Sequence, residues 1–212
     1  MSAVLLAALV GCGGASDAGG SGDSLSVDQV IEFAEGVGKD GADSCPLPYD
    51  AKQLAEAAKI DGGFEPGKAG SAGSAADGYA ATADGGKRTD PQSPWMGKPG
   101  ALVTCSYHTG GENLQIRTAA TSEGKVPYVL APLIQFGGGM DVTELRSYTA
   151  KAANATTGEA VPSKGGNVVT VRLDAGGKGD VALILVAGEQ GKTSLKRVQV
   201  LELAKSFAGQ AG

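Results

Sequence analysis

From Ala101 the chain alternates apolar and polar residues as far as His108, turns through Thr109-Gly110-Gly111-Glu112, and alternates again from Asn113 to Ala119. Two alternating runs joined by a glycine pair specify a β-hairpin: the tight connection needs positive φ, and the period of two sets successive side chains on opposite faces. Val103, Cys105 and Tyr107 share one face of the first strand, and Leu102, Thr104, Ser106 and His108 the other. The return strand separates Leu114 and Ile116 from Gln115 and Arg117 in the same way. An isolated hairpin is marginally stable at best in water, so the rest of the chain must supply further strands and a cover.

Those parts are legible on both sides of the hairpin. Ser26 stands three residues before Gln29, a capping-box spacing, and Val30, Ile31, Phe33, Ala34 and Val37 recur at helical spacing until Gly36 and Gly38. The prolines of Cys45-Pro46-Leu47-Pro48-Tyr49 exclude a helix there. Asp50 caps a second helix, with Leu54, Ala57, Ala58 and Ile60 along one face and Asp61-Gly62-Gly63 as its stop. Beyond the hairpin, Val126 to Phe136 is apolar but carries Pro127 and Pro132; it permits either a strand followed by a turn or a buried loop. Asp141 caps a third helix, with Glu144 completing the box.

Asn167 to Asp174 and Asp180 to Ala187 read as two more strands. The first alternates, whereas the second is apolar throughout, as in a strand covered on both faces. A last helix, from Thr193-Ser194 through about Ala208, carries the broad apolar side of a helix lying on a sheet. The order helix, helix, hairpin, helix, hairpin, helix predicts an α+β fold: a mostly antiparallel sheet of about four to five strands with helices packed on one face. Residues 62–99 break the pattern. Gly, Ala, Ser, Asp and Pro dominate them, and they read as a long low-complexity loop inside the domain.

At the N-terminus, Leu9-Val10-Gly11-Cys12 ends a short apolar run, Ala3 to Val10, and leads into a tract of Gly, Ser, Ala and Asp. This order resembles the lipobox of bacterial lipoproteins. The resemblance implies that residues 1–11 are a signal peptide and that Cys12 becomes the lipidated first residue. Residues 12–24 would then be a flexible tether and residues 25–212 a single α+β domain. The apolar run is too short to span a bilayer, which takes ~20 residues. Stable anchoring needs more than one acyl chain, and the diacylglycerol that the family carries on this sulfur suffices. Signal segments open with basic residues; Met1-Ser2 has none, so we expect a start codon upstream of Met1.

With Cys12 assigned to lipid, Cys45 and Cys105 remain. An even remainder in an exported chain reads as one disulfide, which here would staple the segment between the first two helices to the hairpin. The lipobox, Cys45-Pro46 before a helix, Cys105 on a strand and the C-terminal Val200-Leu201-Glu202-Leu203-Ala204-Lys205-Ser206-Phe207-Ala208 together resemble small actinobacterial secreted lipoproteins of unknown function. That resemblance brings no catalytic residues. A weaker one is to the extracytoplasmic sensor domains of bacterial kinases, which share α+β folds with disulfides.

Several function classes find little support. The net charge is −5, with the charges spread along the chain, which argues against nucleic acid and anionic lipid headgroups as partners. Val186-Ala187-Gly188-Glu189-Gln190-Gly191-Lys192-Thr193 follows a strand and precedes a helix, like a phosphate-binding loop. Val186, however, occupies the position where such a loop needs glycine. His108 is the only histidine, and neither Gly-x-Ser-x-Gly nor Cys-x-x-Cys occurs. We therefore expect no catalytic set, metal site, cofactor or nucleotide. Trp95, Tyr107, His108 and Arg117, on or beside the first hairpin, are the candidates for contact with a ligand or partner. The reading is a lipid-anchored binding or interaction module on the extracytoplasmic face of the cell membrane, not an enzyme. The alternative is a small-ligand or lipid-binding lipoprotein, and the third reading a hydrolytic enzyme that would use His108 as its base.

Overall fold

The computed structural model describes residues 24–37, 45–66, 79–82, 100–109 and 111–211; Cys12 and Trp95 lie outside them. The helices begin where their caps dictate. Helix α1, Val27–Glu35, has a closed capping box: Ser26 Oγ accepts the Gln29 amide at 3.2 Å, and the Gln29 side chain accepts the Ser26 amide at 2.7 Å. Helix α2, Ala51–Ala57, starts at Asp50, whose carboxylate accepts the Gln53 amide at 3.0 Å. It stops short of Ile60 because Lys59 turns left-handed, with φ 53°.

Strands β1, Glu65–Pro66, and β2, Tyr79–Thr82, fall inside the stretch expected to be a loop. Both pair with β3, Gly100–Thr109, satisfying edge groups that would otherwise be unpaired. Strand β4, Glu112–Thr121, returns antiparallel to β3 with Thr109 opposite Glu112, and Gly111 takes φ 89° in the turn. The predicted hairpin is therefore present, and slightly longer than its alternating runs.

Val126 to Phe136 is neither a strand nor a loop but two short helices, α3, Val126–Val129, and α4, Ala131–Gly138. Each proline sits in the first turn of one of them, where its missing N–H has no intrahelical partner to lose. Helix α5, Val142–Asn154, starts at Asp141, which accepts the Glu144 amide at 2.8 Å. Strands β5, Ala160–Pro162, β6, Val168–Leu173, and β7, Asp180–Ala187, precede α6, Arg197–Ala211. This last helix starts later than Thr193-Ser194. The Ser194 amide goes to the Glu112 carboxylate and the Leu195 amide to Thr193 Oγ1, while Gln199 Oε1 takes the Lys196 amide and sets the actual start.

The sheet runs β5-β6-β7-β4-β3, antiparallel throughout, with the two short strands on the outer edge of β3. The α+β class and the antiparallel sheet are as the sequence predicts. The helices, however, cover both faces rather than one. Val103, Cys105, Leu114, Ile116, Leu183 and Leu185 pack with α1, α2 and α6. Leu102, Ala119, Ala182, Ile184 and Val186 pack with α3, α4 and α5. Strand β7 lies between the two layers, and all of its residues are buried. Its uniformly apolar run from Val181 to Ala187 is the local signature of that position.

Cys45 and Cys105 are bonded, with Cα atoms 5.4 Å apart. Beside them Phe207 meets Tyr49 edge-on, with ring centres 4.9 Å apart, and Tyr107 at 5.8 Å. The Tyr49 hydroxyl hydrogen-bonds Thr118 Oγ1 at 2.7 Å. Among the described residues no helix is long and apolar enough to cross a membrane.

Candidate functional site

Strand alternation separates the candidate residues. Tyr107 is 5% exposed and belongs to the layer of α1, α2 and α6, against Phe207 and Phe64. It is a core residue. His108 and Arg117 point to the opposite side, as their neighbours Tyr107 and Ile116 in the first layer require. Those two do not touch, since Arg117 is opposite Thr104 and His108 opposite Asn113. His108 also faces Glu65 of β1 across the other strand boundary.

The arrangement that stands out is centred on Arg117. Its register pair is Thr104, and next along the same face comes Ser106 opposite Gln115. Side chains opposite each other in an antiparallel pair have Cβ atoms about 5 Å apart, so these four form one polar strip. The Arg117 guanidinium donates to Gln115 Oε1 at 2.7 Å and to the Leu133 carbonyl of α4 at 3.2 Å. It has no carboxylate partner among the described residues. Desolvation by burial lowers its pKa from the usual guanidinium value. Arginine carries five N–H donors, of which two go to protein acceptors here.

Arg172, on the same face of the sheet, shows the contrast. It donates to Asp180 Oδ1 from Nε at 3.0 Å and from Nη2 at 2.7 Å, and its Nη1 takes the Ala155 carbonyl at 2.9 Å. Asp180, 1% exposed, also accepts the Val126 amide at the start of α3 at 2.8 Å. Lys125 Nζ also approaches Asp180 Oδ1 at 3.5 Å; the group is a clamp joining β6, β7, α3 and the end of α5, in which Arg172 has a counter-charge. Arg117 has the donors of such a clamp without the anion.

Beside the strip, α4 carries Phe136, 88% exposed, three residues after the Leu133 whose carbonyl Arg117 holds. Residues three apart are neighbours on a helix surface. Tyr128 on α3 and Val142 at the start of α5 are also exposed, at 52% and 55%. Neither Phe136 nor the polar strand residues could be singled out from the sequence. Phe136 sits in the segment whose secondary structure is ambiguous in the sequence, and Thr104, buried at 4% exposure, and Ser106 read in the sequence like any polar strand position.

Other places hold less chemistry. The glycine-rich turn before α6 is internally satisfied. The Gly188 amide goes to the Asn113 carbonyl, Lys192 pairs with Glu189, and Gln190, with its amide nitrogen turned toward α4, donates to the Gly138 and Gly139 carbonyls at 2.9 Å each. Its groups are engaged in closing the loop rather than arrayed around a phosphate. An open cleft of about 430 Å³ lies between α5 and β5, with Asp141, Glu144, Lys151 and Lys164 at its rim. Its one aromatic, Tyr148, has its hydroxyl tied to the Val161 carbonyl at 3.1 Å and to Thr170 Oγ1 at 2.8 Å. Burial pushes that phenol well above its usual pKa.

No family model, curated protein or solved structure matches the chain.

Proposed function

We propose that this chain is a lipid-anchored binding module, held by Cys12 at the extracytoplasmic face of a bacterial cell membrane, that works by presenting a surface rather than by catalysis. The observation that carries the reading is the bond between Cys45 and Cys105. These are the two cysteines that remain once the lipobox-like Cys12 is set aside, and disulfides persist in oxidising compartments. The surface offered is the side bearing α3 and α4, where Tyr128 and Phe136 are exposed and Arg117 holds the Leu133 carbonyl of α4.

Metabolic labelling with an alkyne fatty acid, followed by membrane fractionation, tests the anchor. The native chain is expected to be labelled and to sediment with membranes, and Cys12→Ala to be unlabelled and released. An unlabelled, soluble native chain would overturn the proposal.

A further inference from the structure

We propose that the strip formed by Thr104, Ser106, Gln115 and Arg117 binds the carboxylate of an amphiphilic small molecule, whose apolar part lies along α4 at Phe136. The inference rests on the binding-module reading and names the ligand class for its surface. Three observations carry it. Arg117 is a partly buried cation whose two protein partners, Gln115 Oε1 and the Leu133 carbonyl, are both neutral, with no carboxylate paired to it among the described residues. A partly desolvated charge gains from a counter-charge, and Arg172 on the same face has Asp180 to supply it, which Arg117 does not.

Ser106, partly exposed, lies on the same face next to Thr104, which is buried at 4% exposure and backs the strip, so a further hydroxyl donor stands beside the guanidinium fork. A planar fork suits a carboxylate, and a single guanidinium matches a single negative charge better than a dianion. Phe136, 88% exposed, stands one helical turn from the carbonyl that Arg117 holds. An exposed aromatic ring on the helix whose carbonyl the guanidinium holds suits a ligand with one apolar and one charged end.

Calorimetric titration of decanoate into the full-length Cys12→Ser chain, with the Cys45–Cys105 bond intact, tests this without depending on the anchor. Decanoate is expected to bind at one per chain, with acetate and inorganic phosphate far weaker. Arg117→Gln should weaken decanoate about tenfold or more, and Phe136→Ser should weaken it with no loss of fold, since the ring is exposed. To guard against a misfolded Arg117 variant, the native chain's Arg117 Nε–H and Leu133 amide resonances should shift on addition of decanoate. Absence of binding, shifts confined to other regions, or equal binding of phosphate would overturn the proposal. Failure of the labelling experiment alone would remove the anchor and leave this result standing.

Discussion

Two arginines on one sheet face show how a residue's partners decide its role. Arg172 and Asp180 are a matched pair, and Asp180 also caps the proline-led start of α3. Removing one member of a buried pair strands the other charge, so Asp180→Ala should destabilise the fold by about 3–5 kcal/mol, read as a shift in the urea midpoint at constant m-value. A loss below about 1 kcal/mol would mean that the pair behaves as a surface bridge. Tyr49, partly buried, and Tyr148, 6% exposed, give a second residue-scale prediction. Tyr49 and Tyr148 are held well above the usual phenol pKa, first by desolvation. In the folded chain both therefore stay protonated at pH values where the unfolded chain ionises. Their contribution is complete below the unfolded value of about 10 and is lost as pH rises past it toward the folded values. Stability measured from pH 9 to 11 should fall, and the Tyr49→Phe, Tyr148→Phe double variant should flatten that slope; an unchanged slope would place its origin elsewhere.

Among the elements, those with a local signal were readable in the sequence and those defined by long-range pairing were not. The β3–β4 hairpin, the caps of α1, α2 and α5, and strands β6 and β7 follow from alternation, capping residues and glycine turns. The two helices α3 and α4 are too short to show a period, and their prolines look like breakers until each is seen to occupy a first turn. Strands β1 and β2 exist through β3's edge rather than through any pattern of their own. Strand β7 carried the plainest clue to the architecture. Its uniformly apolar run means cover on both faces, yet the order of elements alone suggested one covered face. This can be tested by truncation: Leu183→Ala and Ile184→Ala, adjacent in sequence but buried in opposite layers, should each cost about 2–5 kcal/mol. Val198→Ala, on a residue 59% exposed, should stay within about 0.5 kcal/mol. If one β7 variant were as mild as Val198→Ala, that face would not be a packed core.

For the whole molecule, the arrangement reflects what each segment needs from the others. The segment from Cys45 to Ile60 has one helix of its own, and reaches the body through Leu47 and Leu54, 3% and 0% exposed, the Tyr49 contacts, and the bond to Cys105. Of the four contact residues suggested by the hairpin region, Tyr107 became core, His108 went to a strand end, Trp95 lies outside the described residues, and Arg117 alone acquired a surrounding that suggests binding. The sequence could place Arg117 on a face but not show that no carboxylate would meet it, because that depends on α4 coming to rest beside β4. The disulfide links residues 60 apart. In the chain-entropy model, closing such a loop in the unfolded state is worth about 4 kcal/mol, a large share of the roughly 5–15 kcal/mol by which domains are stable. Thiol reduction should lower the unfolding free energy by about that amount and release the α2 segment first, visible as early loss of amide protection from Ala51 to Ala57 while β7 stays protected. Uniform loss of protection would instead make the segment part of a single cooperative unit. A negligible change on reduction would mean that Leu47, Leu54 and Tyr49 hold it unaided, and that the bond serves the chain for something other than stability.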